Sequence, residues 1–402
     1  MDTALDQART AFLSGIEHFG QRRYVQAEAA FEAALKLVPG RPSVLQNLGM
    51  TKVHLGQYEA AMPLLRAALA ADDSLRDAWD ALGSAEMATE QWTAAAFSHR
   101  RALELGPESA VLHLRLASCL AQAGALEEAV AAYRQALAID PGLIDGWSEL
   151  GHALREQRQL DEAAACYRKA IALGADAEEH RYFLAALQSG TEGASVPDAP
   201  RDYVKSLFDR YADDFDHHLL DKLGYRGHQM LIERLPAECP PRFARVLDLG
   251  CGTGLCGALV RDRTDHLTGV DLSGGMVEKA RARGIYDHLV EADLVDYLHL
   301  DQTPSDLVLI ADVLVYVGHL ERLFERLGER IAAGGWLAFS VEENRDGQDL
   351  QLLPSLRYAH SESYLRRLAA AHGLEWFASH ALTLRFDQNQ PIAGLCVFLR
   401  KS

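Results

Sequence analysis

Residues 246–257 read VLDLGCGTGLCG, and the register of glycine within them decides the reading of everything downstream. An apolar run ends on a glycine-rich turn that leads into residues of helical spacing, a strand–turn–helix junction. Two glycine registers fit. Gly252, Gly254 and Gly257 spell G-x-G-x-x-G, the pattern that seats a pyrophosphate at a helix N-terminus. Asp248, Gly250, Gly252 and Gly254 spell D-x-G-x-G-x-G, which places a carboxylate ahead of the first glycine.

The flanking sequence separates the two. The second half of the chain alternates strand and helix signals, as in a doubly wound, mostly parallel sheet. Strands are expected at 244–249, 266–272, 287–293, 305–312 and 334–342. Two last apolar runs, 375–386 and 392–400, are separated by DQNQP alone. A parallel crossover needs a dozen or more residues, so these runs form an antiparallel hairpin. Asp271 ends the second strand, about 20 residues beyond the glycines, and Asp293 ends the third. Three strand-end carboxylates around one crevice repel a pyrophosphate and tolerate a sulfonium with an ammonium group.

These features resemble class I S-adenosylmethionine (SAM) methyltransferases. The resemblance implies a Rossmann-like, mostly parallel seven-stranded sheet closed by an antiparallel C-terminal hairpin. It implies that Gly250, Gly252 and Gly254, with Asp248 and Cys251, form the SAM loop. Asp271 would meet the ribose, Met276 would pack on adenine, Asp293 would accept the adenine amino group, and Leu272 and Leu294 would belong to the same cofactor site. A dehydrogenase remains the competing reading of the glycines.

The first half repeats with a period of 34. Ala27, Ala61, Ala95, Ala129 and Ala163 share one column, and Ala34, Ala68, Ala102, Ala136 and Ala170 another. Phe31, Leu65, His99, Tyr133 and Tyr167 form a bulky column between them. Gly15, Gly49, Gly83 and Gly151 mark the first helix of four units, with Ala117 in the remaining one. Small residues let two antiparallel helices approach, and the bulky column fills the gap. The pattern resembles the tetratricopeptide repeat (TPR) over about residues 8–177. That resemblance places Phe12, Ile16, Phe19, Met50 and Val53 on the concave face, either as a groove for a protein or peptide or as packing within the molecule.

The expected organisation is therefore a TPR α-solenoid at 1–188, its last helix at 177–188 acting as a cap. A linker rich in Gly, Ser and Pro follows at 189–200, and then an α/β methyltransferase domain at 201–402. The formal net charge of −17 disfavours nucleic acid and anionic membranes. No apolar stretch is long enough to span a bilayer. The six cysteines form no C-x-x-C pair, which argues against bound metal and for reduced thiols in a cytoplasm. The N-terminal MDTALDQART is too polar for a secretory signal.

With YVKSLFDRYADDFDHHLLDKLGYRGHQMLIERL (203–235), LIADVLVYVGHLERLF (309–324) and RYAHSESYLRRLA (357–369), the whole chain resembles a bacterial group of TPR-containing methyltransferases. The resemblance implies a lid over SAM, with Tyr203, Phe208, Tyr211 and Phe215 as its aromatic residues; for Phe208, helix-to-sheet packing is the simpler expectation. On the acceptor side, Asp312 and Tyr316 follow the fourth strand, and His360 is the candidate general base. Arg357, Tyr364 and Arg385 are candidates for holding a carboxylate or phosphate of the acceptor. The leading expectation is methyl transfer to an acceptor recruited by the solenoid as a protein or carrier-bound substrate. The alternatives are a small-molecule methyltransferase that uses its repeats for assembly only, and a scaffold that binds SAM without turnover.

Overall fold

The computed structural model describes residues 2–188, 196–387 and 390–402. The chain divides into two compact units, Met1–Ala175 and Asp176–Ser402.

The first unit consists of five helix pairs: α1 (Asp2–Gly20) with α2 (Tyr24–Leu37), α3 (Pro42–His54) with α4 (Tyr58–Ala71), α5 (Arg76–Ala88) with α6 (Trp92–Glu104), α7 (Ala110–Gln122) with α8 (Leu126–Ile139), and α9 (Ile144–Glu156) with α10 (Leu160–Leu173). Every residue of the two alanine columns is wholly buried. A Cβ on Gly15, Gly49, Gly83 or Gly151 would come within 2.5 to 2.7 Å of Phe31, Leu65, His99 or Tyr167 respectively, so glycine sets how closely each pair approaches. The turn inside each pair needs a left-handed residue at the same point of the period: Arg22 (φ 58), Gly56 (φ 72), Glu90 (φ 58), Gly124 (φ 80) and Arg158 (φ 61).

The expected concave stripe is largely occupied by packing. Phe12 lies on Phe31 with ring centroids 5.7 Å apart, and Phe19 meets Tyr24 and His54 at 5.5 and 5.3 Å. Met50 and Val53 pack against the core of the second and third repeats. Of the five residues, Ile16 alone is exposed, at 41%.

The second unit opens with α11 (Ala177–Leu187), α12 (Arg201–Tyr211), the short α13 (Phe215–His217), which continues as a π turn at His218–Lys222, and α14 (Gly227–Glu233). The expected solenoid cap, α11, groups with this unit, so the division falls after Ala175 and not within 189–200. Its aromatic side chains explain why: Tyr182 is wholly buried and donates to Leu356 O at 2.7 Å, and the Phe183 ring lies 5.4 Å from Tyr203. Residues 189–195 of the expected linker lie outside the described residues.

One sheet follows. Strands β1 (Phe243–Leu249), β2 (Thr264–Asp271), β3 (His288–Glu291), β4 (Ser305–Ile310) and β5 (Ile331–Glu343) run parallel in the order β3-β2-β1-β4-β5. Two short strands, β6 (Leu350–Leu352) and β7 (Tyr358–His360), pair with each other, and β7 joins the end of β5. The hairpin of β8 (Leu374–Asp387) and β9 (Gln390–Lys401) inserts β9 antiparallel along β5. The seven-stranded spine is as expected, and β6 and β7 are additions to it. Connecting helices are α15 (Leu255–Val260), α16 (Gly274–Arg283), α17 (Leu294–Leu300), α18 (Glu321–Arg330) and α19 (Glu362–Ala371). Alternation along β4 sends Leu307 and Leu309 to one core and Val308 and Ile310 to the other, so both faces are covered.

The five left-handed turns allow a direct comparison. Gly56→Ala should destabilise the solenoid by about 1 kcal/mol, and Glu90→Gly should be neutral or stabilising, because only a non-glycine residue is strained there. Urea melts of the two variants check this. Equal destabilisation by both substitutions would count against backbone strain as the cause.

Candidate active site

β1 ends at Leu249, and the chain then turns on Gly250 (φ 71), Gly252 (φ 54) and Gly254 (φ 95). All three are left-handed, so the D-x-G-x-G-x-G register is a conformational requirement. Gly257 is needed for a different reason. It lies inside α15, where a Cβ would fall 2.3 Å from Tyr286 Oη. Tyr286 passes over it to donate to Asp248 Oδ2 at 2.7 Å. The third glycine of the competing register thus makes room for a tyrosine that braces the loop.

This corrects the expected place of Asp248. The residue is 1% exposed and engaged with Tyr286, behind the loop and not open to the crevice. Burial pushes its carboxyl up to about 7, against the Tyr286 hydrogen bond, and Asp271 adds to the rise. Asp271, also buried, accepts from Gly252 N–H at 2.8 Å and Ser273 N–H at 2.9 Å, which ties the glycine loop to the turn after β2. Burial pushes it up to about 6. Leu272 is partly exposed, and Cys251, Met276 and Leu294 are buried. Asp293 caps α17, accepting from Val295 and Asp296 N–H, and pairs with Arg201 at 3.2 Å. Two buried acids at strand ends favour a cation and oppose a pyrophosphate. The donor set therefore fits SAM; the Gly250–Gly254 turn and Asp271 are the residues that would hold it.

The segment over this corner is latched mainly by charge. Asp209 accepts from Ser273 Oγ at 2.5 Å and Gly275 N–H at 3.2 Å. Asp216 accepts from Thr253 Oγ1 and Arg283, Lys205 pairs with Glu291, and Lys279 meets Asp213 at 2.6 Å. These carboxylates and lysines were not foreseen; the aromatic residues were. Tyr211 points away from the expected cofactor role, 44% exposed with its ring on His218. Phe215 lies 3.9 Å from where a Cβ on Gly252 would sit. Phe208 meets Phe215 and, at 5.0 Å, Tyr316, so it links lid to acceptor side and does not simply pack helix on sheet.

Past β4 the structure gathers several acceptor candidates. Asp312 has a left-handed backbone (φ 57), and its N–H donates to Ser340 Oγ at 2.9 Å. Arg385, 1% exposed, donates to Asp312 Oδ1 at 2.6 Å and to Glu342. Glu342 was not foreseen; an acid in the apolar run of β5 is its only signal. Arg357 donates to Tyr316 Oη at 3.4 Å. Burial opposes its charge, but the fields of Tyr316, Asp312 and Glu342 outweigh burial and hold its pKa above the ordinary value.

Two candidates are not brought to this corner. His360 is wholly buried in β7, donates from Nε2 to Gly318 O at 2.9 Å, and is pushed down to about 4 by burial. It is placed as a core residue and not as a base. Tyr364 is buried beside it and accepts from Leu320 N–H at 3.0 Å, so it serves packing rather than substrate. Among the described residues, no group of His, Cys, Asp or Glu is placed to hold a metal ion.

Residues 216–389 match the methyltransferase-domain family, and residues 18–85, 81–144 and 144–176 match tetratricopeptide repeats. A malonyl-[acyl-carrier protein] O-methyltransferase of Enterobacter lignolyticus (strain SCF1) is 32% identical over 48% of this chain and 76% of its own length. A trans-aconitate 2-methyltransferase of Variovorax paradoxus (strain S110) is 33% identical over 36% of this chain, which spans about half of that relative (52%). The magnesium protoporphyrin IX methyltransferase (ChlM) of Synechocystis PCC 6803, solved with bound SAH, is 17% identical with a TM-score of 0.40, covering 50% of this chain and 99% of that one. The chain belongs to the class I SAM-dependent methyltransferases, joined here to TPR repeats. SAM is its cofactor and supplies the methyl group.

The raised Asp248 and Asp271 set a pH dependence. A carboxyl whose folded pKa is raised favours the fold while protonated, and that contribution fades as pH rises through about 6 to 7. A bound cation favours the ionised forms and reverses the balance. SAM affinity should therefore rise from pH 5 to pH 8, with proton release on binding near pH 6. Calorimetry in buffers of different ionisation enthalpy checks it; pH-independent binding without proton release is the contrary result.

Proposed function

We propose that this methyltransferase acts on a carboxylate oxygen of its acceptor, anchored by Arg357. The observation that carries this reading is the Arg357 guanidinium beside Tyr316 at the end of β4, partly exposed and holding one long hydrogen bond among the described residues. Arg385 is the weaker anchor, because Asp312 and Glu342 hold its two terminal nitrogens and leave only its buried Nε without a partner among the described residues. The two curated relatives support the reading, since each is named for an acceptor that bears a carboxyl group. A carboxylate is already a nucleophile, so the transfer needs no base. That agrees with a structure in which the candidate base His360 is buried against a carbonyl. The work left to the protein is alignment of the acceptor oxygen and exclusion of water. Lid residues Phe208 and Phe215 serve the second task.

Arg357→Gln should raise the acceptor KM by roughly 10- to 100-fold, the worth of a lost charge-assisted hydrogen bond, with SAM affinity unchanged. Steady-state kinetics and calorimetry on one preparation separate the two terms. An unaltered acceptor KM would remove Arg357 from the site.

The solenoid, in this reading, recruits a protein or a carrier that bears the acceptor. Ile16 is the place to test it, because Phe12, Met50 and Val53 also support the fold. Ile16→Asp should weaken use of the natural acceptor while leaving helicity, melting point and SAM affinity intact. Wild-type acceptor kinetics in that variant would favour an assembly role for the repeats.

A further inference from the structure

The segment DRYADDFD (209–216) is rich in acids, and three of them meet α16 along its length. Asp209 accepts from Ser273 Oγ and Gly275 N–H at the start of the helix, Asp213 meets Lys279 in its middle, and Asp216 meets Arg283 at its end. The last of these contacts differs from the others because it takes in the glycine loop as well. Arg283 donates from Nε to Thr253 O and from a terminal nitrogen to Asp216 Oδ2, while Thr253 Oγ1 donates to Asp216 Oδ1, each at 2.5 Å. We propose that Arg283 is a positioning residue of the cofactor site: its planar fork joins the glycine loop to the segment over it, so that the two hold SAM as one unit.

Local structure puts the fork in place. Arg283 is the last residue of α16, and the left-handed Gly284 (φ 65) ends the helix there. A basic side chain in the last turn also suits the negative end of the helix. Thr253, 3% exposed, stands between Gly252 (φ 54) and Gly254 (φ 95) and is the one side chain of that turn. A Cβ on Gly254 would fall 3.2 Å from Arg283 Cδ and 3.0 Å from the Tyr286 ring, so the stem of Arg283 walls the turn that its head anchors. On Gly252 the same construction meets Phe215 at 3.9 Å, next to Asp216. All three residues of the turn are thus held, two of them by Arg283.

The charges are consistent with a cationic cofactor. A bare guanidinium beside the loop would oppose SAM, and Asp216 cancels it at hydrogen-bond distance. Asp271, buried on the other side of Gly252 N–H, keeps its carboxylate for the cofactor. Arg283 and Asp216 are 33% and 39% exposed, and an ion pair so open to water adds little to global stability. Its effect falls on the turn and on the segment that closes over it. The geometry requires arginine: an ammonium is a point charge that can meet Asp216 or Thr253 O, whereas the fork meets both.

The test uses the full chain with SAM and S-adenosylhomocysteine as probes. Calorimetry gives the affinities, and chase of labelled SAM gives the dissociation rate. Arg283→Lys keeps the charge and loses the fork. It should raise the Kd of both probes about 10-fold, through faster dissociation, with the melting temperature of the cofactor-free protein within about 2 °C of wild type. Asp216→Asn should weaken binding in the same direction. Combining the two should cost no more than the worse single change, because opening the ring of hydrogen bonds at one point already frees the turn. Arg283→Gln, measured in the same way, serves if the lysine variant does not fold. Wild-type SAM affinity in the Arg283 variant would overturn the proposal. Losses that add in the double variant would overturn it too, since the two residues would then act independently. A lowered melting temperature with unchanged SAM affinity would make Arg283 a structural residue only.

Discussion

Arg385 lies between Asp312 and Glu342 with almost no contact with water, and the acceptor corner takes its shape from that ion triplet. Its three members come from the end of β4, from β5 and from β8, so one guanidinium ties three strands at the edge where the crevice opens. Removing one partner of such a group typically costs about 3–5 kcal/mol, because a buried charge is left uncompensated. The triplet also holds Asp312 in a left-handed conformation that a non-glycine residue adopts only under constraint. The C-terminal hairpin is therefore tied by a buried ion triplet to the strand ends where the crevice opens.

The cofactor corner depends on a different kind of constraint. Three glycines turn the loop, and Tyr286 fixes it from behind through Asp248. Asp271 then joins that loop to the turn after β2 through two backbone N–H groups. Neither acid is spent on a side-chain cation; Asp248 is engaged by Tyr286 behind the loop, which leaves Asp271 to a positively charged cofactor. The acceptor corner is nearly charge-balanced by contrast. Phe208, whose ring meets both Phe215 and Tyr316, links the two corners.

Much of this was legible in the sequence. The repeats were, because a 34-residue period displays each constraint five times. The mostly parallel sheet was, from its alternating strand and helix signals, and so was the antiparallel hairpin, because a five-residue link forbids a parallel crossover. The rest was hidden where a side chain finds its partner across the fold. Tyr286 stands in ARGIYDHL with no motif around it, and its role shows only once Gly257 and Gly269 are seen making space for its ring. His360 reads as a base because it precedes a helix beside polar residues; nothing local reports that it is buried against Gly318 O. Residues 177–187 continue the helical pattern of the repeats, yet Tyr182 and Phe183 find their partners in the second unit.

The latch over the glycine loop depends on the ions around it. Asp209, Asp213, Asp216 and Lys205 hold the segment through ion pairs and charged hydrogen bonds, and Phe215 is the apolar contact at the loop itself. Charge contacts at the surface weaken with ionic strength, whereas apolar burial does not. The electrolyte around the protein thus sets how firmly this segment is held over the glycine loop.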